Sequence, residues 1–479
     1  MNSRDLTVLN PPDDDGKRTV NVEATQAAVD KADEIRQEFE DWIFKDVDRR
    51  ERLVAFYNEH YNTNVRSEID GSYLTMPGKV PDAAIKLHRY QLDSIAQIIR
   101  RGKVLLDHVV GAGKTFSIVG GVMESRRLGL AKKQMIVVPN YLVEQWASDF
   151  YRLYPGAKVL AMRKADFQKA NRQRMLGRVA TGDWDAIITA HSSFGFIKND
   201  RELLLQATRE QVAKIQTAIE TARATEGKKS RTAAQYQKTK EKYEQRLKGL
   251  LDAPKDDLLT FQELGVDRLY VDESHEFKNL FFTTQKQNVG GLGNPTGSKK
   301  AFDMYIKTRW LQDTQGGRGV IFATGTPISN SLTELFTLQR YLGIEDLKSR
   351  GITSLDAWLN AYGIVQSEYE ANVTGTKYKR KERMRFLTNV PEVMQLYQDF
   401  AHSISQDDIK RMFREDNAGA EFPIPRVKSY PKARANLTVP RSEAQAEFSA
   451  HLQTRMDHVK RGGTGNALAI LGDGRKAAL

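Results

Sequence analysis

No cysteine occurs in the 479 residues, which excludes disulfides, thiolate catalysis and cysteine-ligated zinc together. No apolar run approaches the roughly 18 residues that a membrane helix needs. Met1 to Gly16 is polar and acidic, without the apolar core of a secretory signal. These absences point to a chain that works in the cytoplasm, or in the nucleus if the source is eukaryotic, away from any membrane. The eight histidines are scattered without ligand spacing, so no structural metal is expected. What remains is an ordinary globular composition, 40% hydrophobic and 28% charged. The length suggests about two to four domains, each able to bury a core. Charge is the less ordinary property: 73 Lys and Arg against 61 Asp and Glu leave a net +12, which fits a polyanionic partner.

The first 80 residues read as a helical lead-in. A single amphipathic helix is expected around 24–58, with Ile35, Phe39, Trp42 and Ile43 at i, i+4, i+7 and i+8 forming a packing face. Gly71, Pro77, Gly78 and Pro81 mark a loop-rich junction. From 81 to 345 short β-rich runs alternate with longer helical stretches, the pattern of an α/β lobe with a mostly parallel sheet. Strands are expected at 103–107, 135–138, 186–189, 268–271 and 319–323. Within 200–256 the pattern changes. Leu205, Thr208, Val212, Ile215, Ile219 and Ala222 recur at steps of three and four, and Tyr236, Tyr243, Leu247 and Leu250 repeat the theme. With a turn at 226–230 this predicts an inserted antiparallel helical hairpin. Residues 223–248 carry nine Lys or Arg against three Glu, which suits either a solvated helix surface or an arm that meets nucleic acid. Residues 346–479 read as a helical extension with a second basic cluster, Lys377, Lys379, Arg380, Lys381, Arg383 and Arg385. The end at Leu479 looks like a chain cut within a domain.

Chemistry concentrates at the ends of the expected strands, where open α/β sheets bind ligands. Gly111-Ala112-Gly113-Lys114-Thr115 follows one strand and opens a helix. Glycines let the backbone N–H groups curl toward phosphates at a helix N-terminus; Lys114 then reaches the β- and γ-phosphates and Thr115 holds Mg²⁺. His108 stands where the strict P-loop pattern has its first glycine. Asp272-Glu273 ends a second strand: one carboxylate suits Mg²⁺ and its neighbour suits activation of water. His275 either couples this pair to a further motif or caps local structure. Thr324-Gly325-Thr326-Pro327 closes a third run, either as a link between the carboxylates and nucleic acid or as a strand-ending turn. Gln91, taken alone, is a surface glutamine whose amide can both donate to and accept from an adenine edge.

With these residues in view, the chain resembles superfamily 2 helicases of the SWI/SNF type. Asp272-Glu273-Ser274-His275-Glu276-Phe277-Lys278-Asn279 is similar to that family's D-E-A-H-x-x-K-N. The stretch from Thr324 to Phe336 resembles its T-G-T-P-x-x-N-x-x-x-E-L, and Pro139 to Trp146 its P-x-x-L-x-x-Q/N-W. The resemblance implies a RecA-like P-loop fold, ATP and Mg²⁺ as cofactors, nucleotide contact at Gln91, and double-stranded DNA as partner. It also implies a function, ATP hydrolysis coupled to translocation on DNA or to remodelling of DNA-bound complexes. A module that binds DNA or a partner with negligible turnover is the alternative. The lead-in, Asp70-Gly71-Ser72 and the closing D-G-R-K-A-A-L look like large helicase–methyltransferase proteins of bacteriophages and mobile elements, whose parent chains add a second RecA-like lobe or a methyltransferase. Two features depart from the family. Val109-Val110 replaces the usual acidic and methionine positions, and no Q-x-x-G-R-x-x-R segment with paired arginines occurs. Asn10-Pro11-Pro12 resembles an adenine-methyltransferase loop, but Asp13 replaces its aromatic and no cofactor-binding strands precede it.

Overall fold

The computed structural model describes residues 8, 10–11, 21–60, 69–226, 230–252, 258–284, 289–293, 295–329, 331–371, 378–417, 419–420, 440, 442–460 and 467–477. Two helices, α1 (Val22–Lys45) and α2 (Val47–His60), come first. Then α3 (Arg89–Arg101) leads into β1 (Lys103–His108), and α4 (Lys114–Arg127) into β2 (Gln134–Val138). α5 (Val143–Leu153) precedes β3 (Val159–Met162), and α6 (Lys169–Thr181) precedes β4 (Ala186–Ala190). The single turn α7 (His191–Phe194) and the pair α8 (Arg201–Glu226) and α9 (Arg231–Asp252) separate β4 from β5 (Arg268–Val271). α10 (Lys299–Thr314) runs to β6 (Val320–Thr324), followed by α11 (Thr333–Leu342), α12 (Ile344–Ser349) and α13 (Leu355–Tyr362). β7 (Gly363–Ala371) and β8 (Tyr378–Leu387) pair only with each other, and α14 (Val390–Phe400) leads to β9 (Ala401–Ile404).

Seven strands form one sheet in the order β3-β4-β2-β5-β6-β1-β9, every pairing parallel. A parallel sheet needs crossover helices on its faces, and the residues supply both covers. Leu105, Met135, Val137, Ile187, Leu269, Val271, Val320 and Phe322 point into one core. That core is completed by apolar residues of α6, α10, α11, α13 and α14. The alternate residues Val104, Leu106, Ile136, Val138, Ile188, Tyr270, Ile321 and Ala323 point into the other, closed by α3, α4 and α5. This period-two partition, apolar on both faces, gives the near-continuous apolar runs seen in the strands. The architecture is a RecA-like α/β fold with a doubly covered, parallel sheet.

The hairpin expected within 200–256 is α8 and α9. Ile215, Ile219 and Ala222 of α8 are buried against Ala233, Tyr236 and Tyr243 of α9; the turn residues 227–229 lie outside the described residues. A second compact unit comprises residues 366–383 and 407–479. It contains α15 (Gln406–Asp416), α16 (Glu443–Lys460) and α17 (Ala467–Ala477). Here Arg455 pairs with Asp473 at 3.0 Å, and Met456 and Ile470 are buried.

The structure differs from the sequence expectation in four places. The lead-in is two helices, because Asp46 leaves the helical region and its carboxylate accepts the Arg49 N–H at 2.7 Å, starting a new helix. Phe39 and Trp42, expected to pack, are both more than half exposed; they stack on each other at 5.8 Å, with the Arg49 guanidinium over Trp42. β3 was not expected at all. The stretch after 345 is not simply helical: it carries the β7–β8 pair, and β9 joins the main sheet beside β1. β9 is hidden in the sequence because His402 and Ser403 are polar, and their partners lie on β1. Within the basic cluster, Lys377 falls outside the described residues, and the others lie on β8.

β9 is tied to β1 by more than its ladder. The Val109 N–H donates to the Ile404 carbonyl at 3.0 Å, and Arg101 at the end of α3 holds the Gln398 and Asp399 carbonyls at the end of α14. Amide hydrogen exchange should therefore find Val109 and the β9 amides that face β1 far better protected than those of exposed loops. Exchange at those amides as fast as in exposed loops would contradict the seventh strand.

Candidate functional site

Four adjacent central strands, β2, β5, β6 and β1, end at the four segments singled out from the sequence. Parallel pairing brings their carboxyl ends to one edge, so residues 109–115, 139–146, 272–275 and 324–327 meet there although the chain scatters them.

The loop after β1 is built from two glycines in the left-handed region, Gly111 at φ 89° and Gly113 at φ 72°. Gly113 has a second reason: a Cβ there would sit 2.5 Å from the Gln91 Nε2. The loop is pinned by the Ala112 N–H donating to the Val109 carbonyl at 3.1 Å. Among the described residues the N–H groups of Gly111, Gly113, Lys114 and Thr115 take no protein acceptor, which leaves a helix N-terminus open to an anion. The Lys114 ammonium donates to the His108 carbonyl at 2.9 Å, folding back over its own loop. Gln91 lies buried beneath: its Oε1 accepts from the His88 N–H at 2.8 Å and its Nε2 donates to the Gly113 carbonyl at 3.1 Å. Its amide braces the loop, and each end keeps one further hydrogen-bonding position.

Asp272 sits at the end of β5, and burial pushes its carboxyl up to about 6, with the neighbouring Glu273 charge adding to the rise. The Glu273 N–H at 3.0 Å, the Lys114 ammonium and the Trp146 side chain act in the opposite direction. Glu273 occupies the left-handed region at φ 48°, ψ 49°, a strained conformation for a residue with a side chain. This turn places its Oε2 3.1 Å from the His275 Nδ1, which also lies 3.0 Å from the Thr324 Oγ1. Facing a carboxylate, Nδ1 carries the proton, and Thr324 accepts. Thr324 Oγ1 also accepts the Thr326 N–H at 3.2 Å. Gly325 approaches the loop after β1 so closely that a Cβ would meet Val110 Cγ2 at 3.1 Å and the His108 carbonyl at 3.3 Å.

The residues fit Mg²⁺ and ATP on their own chemistry. Unpartnered N–H groups and a lysine surround the place for phosphates, and a buried carboxylate kept from ionising freely is one that a cation would charge. Thr115, in the first turn of α4, and Asp272 are the candidate metal ligands; Glu273 is the candidate base.

Several residues that carry this geometry were given no role from sequence. Lys278 pairs with Glu334 at 3.0 Å and donates to the Ser329 hydroxyl, while Glu334 accepts the Ser329 N–H at 2.7 Å. This joins the segment after β5 to the segment after β6. His191 Nε2 donates to the Asp272 carbonyl at 2.8 Å. On the other side of the loop, Asp107 Oδ2 accepts from Tyr397 and Ser403, each at 3.0 Å. The rings of His108 and His402 meet at 3.0 Å between Nε2 and Nδ1. Ser94 lies 3.2 Å from His402 Nδ1 and donates its own proton to the Tyr90 carbonyl at 2.6 Å. Only the positions of Lys278 and Glu334 inside longer motifs could have signalled them; the partners of His108 and Asp107 lie nearly 300 residues away.

Residues 97–403 match a family described as a probable helicase domain, and residues 1–63 match a domain of unknown function, DUF8437. A curated relative, the defense against restriction protein B of Escherichia phage P1, is 24% identical over 383 residues, 71% of this chain. The chain spans 17% of that relative's length. The solved Sulfolobus solfataricus SWI2/SNF2 ATPase core in complex with dsDNA is 12% identical with a TM-score of 0.36, over 84% of this chain and 60% of that one.

His108 generates a pH dependence. Burial, His402 and Lys114 hold its pKa well below the usual imidazole value, and the groups around it are His402, Lys114, Ser94 and Tyr90. The unfolded chain takes up this proton near pH 6.5 and the folded chain does not. The unfolded state therefore binds more protons as pH falls below about 6.5, and stability falls with it. Urea midpoints should drop from neutral to mildly acidic pH, and His108→Asn should shrink that drop. An equal drop in the variant would place the dependence elsewhere.

Proposed function

This chain belongs to the probable helicase domain family, and on that premise we propose that it is the ATP-binding lobe of a DNA-dependent ATPase of the helicase type. Hydrolysis would be coupled to movement on DNA or to remodelling of complexes bound to it. The observation that carries the reading is the meeting of Lys114, Asp272, Glu273, His275 and Thr324 at the ends of three neighbouring strands, β1, β5 and β6.

Mg²⁺ with ATP would supply a γ-phosphoryl group whose charge is partly neutralised before transfer. The chain's own residues do the rest. The open N–H groups from Gly111 to Thr115 orient phosphates, and Lys114 exchanges the His108 carbonyl for phosphate oxygens. Thr115 and Asp272 would hold the metal, and Glu273 would take the proton of the attacking water. His275 bonds both Glu273 and Thr324, so the state of the carboxylate reaches Gly325 and Thr326. Those residues then pass it toward bound DNA. Gln91 braces the loop and offers its remaining positions to the base. The net +12 charge and the basic hairpin favour a polyanion, and the defence against restriction named for the phage relative fits a motor that acts on DNA.

A second reading is a module that binds DNA or a partner with negligible turnover. Phosphoryl transfer gains on the order of 10³–10⁵ in rate from an arginine outside the loop, and the site built from Gly111 to Thr115, Asp272, Glu273, His275 and Thr324 contains none. The chain alone should accordingly bind Mg·ATP but hydrolyse it slowly, with little stimulation by DNA. Brisk DNA-stimulated turnover by the monomer would mean that an arginine of this chain completes the site. Lys114→Ala should weaken Mg·ATP binding about tenfold or more, the equivalent of one or two charge-assisted hydrogen bonds, with an unchanged circular dichroism spectrum. Equal binding of labelled ATP by wild type and Lys114→Ala would remove the phosphate-loop assignment.

A further inference from the structure

α9 borders a cleft of about 300 Å³ that the nucleotide site does not use. Its floor is apolar and fixed. The Tyr236 hydroxyl accepts from the Thr284 N–H and donates to the Thr284 carbonyl. Phe281 packs on Tyr243 at 5.5 Å, over the buried Ile215 and Ile219 of α8. Its rim is polar and basic. Gln235, Lys238, Thr239 and Lys242 line it at steps of three and four, which is one face of a helix.

The two rim lysines are not arranged as a helix would arrange them for its own stability. Lys238 and Lys242 stand four residues apart, both exposed, and like charges at that spacing oppose helix formation. Among the described residues neither has a carboxylate within ion-pair distance, whereas the intervening Lys240 pairs with Glu244 at 3.3 Å. A charge pair that weakens its own helix, set over a preformed apolar floor, is suited to an anion from outside. Residues four apart on a helix place their side chains about 5–6 Å apart at Cβ, a step that long lysine side chains can adjust to successive phosphates of one strand. The floor then meets the sugar faces. Lysines act as point charges and not as forked base readers.

We propose that this cleft seats the sugar–phosphate backbone of one nucleic-acid strand, with Lys238 and Lys242 on successive phosphates and Gln235 and Thr239 hydrogen-bonding between them. The proposal rests on the DNA-acting function argued above and adds the location of a contact, on residues outside the helicase motifs.

Salt titrations of the full chain with a short mixed-sequence duplex, read by fluorescence anisotropy, test it. Lys238→Gln/Lys242→Gln should lower the log–log salt slope by about 1.8, two phosphates at about 0.9 each, while binding of an ATP analogue stays as in wild type. Arg209→Gln/Lys214→Gln removes equal charge from exposed positions of α8 that do not line the cleft, and should lower the slope by less than half as much. An unchanged slope in the cleft variant, or an equal fall in both variants, overturns the cleft while leaving the function intact. A wild-type chain that binds no duplex overturns both. Lysine acetylation separates the sources of phosphate: duplex should shield Lys238 and Lys242, and inorganic phosphate at matched ionic strength should not. Equal shielding by inorganic phosphate would make the cleft a free-anion site and end the nucleic-acid assignment.

Discussion

Burial of a parallel sheet on both faces is the constraint from which the rest of this molecule follows. With apolar residues alternating into two separate cores, the strands have no face left for chemistry. Polar groups must then collect where the strands stop. Because β2, β5, β6 and β1 are neighbours, their stopping points form one continuous edge. The glycine loop, the acidic pair and the threonine turn are adjacent for that reason. Two further contacts make the edge a unit: the Lys278–Glu334 pair spans β5 and β6, and Gly325 lies against the loop after β1.

The electrostatics of that edge suit the charged ligand proposed for it. Asp272 is raised to about 6 by burial and by Glu273, so its ionised form is costly until a cation arrives. The Lys114 ammonium rests on a neutral carbonyl, an acceptor weaker than a phosphate oxygen. Glu273 holds a left-handed conformation that aims its carboxylate at His275. Each of these is a small departure from what local stability favours, and all of them point into the same place. The dependence on β9 is of another kind. His402, Ser403 and the Ile404 carbonyl fix the segment from Asp107 to Val109 from behind, so the loop's anchor comes from residues far downstream.

Much of this was legible in the sequence where periodicity and residue type carry the information. Five of the seven sheet strands follow from apolar runs, four of which end in motifs, and α8 and α9 from steps of three and four. β3 escaped because nothing marks it: it precedes no motif, whereas β5, equally short, runs into Asp272-Glu273. β9 escaped because its outward partners are polar: a strand reading Ala-His-Ser-Ile matches no apolar template, yet His402 and Ser403 are polar in order to meet His108 and Asp107. The split of the lead-in turned on a single capping residue, Asp46. Within the site, residue types revealed which groups could bind phosphate or metal. They could not reveal that Gln91 braces the loop through both ends of its amide, or that Lys278 reaches Glu334, because such contacts depend on how distant strands are laid side by side.

The central claim is that this strand edge is a nucleotide site whose lysine is held in reserve on its own loop. A structure of the chain with Mg²⁺ and a non-hydrolysable ATP analogue tests it most directly. The account requires the Lys114 ammonium to have left the His108 carbonyl for the β- and γ-phosphates, with the metal between Thr115 and Asp272. Nucleotide bound elsewhere, or bound here with Lys114 still on His108, would contradict it.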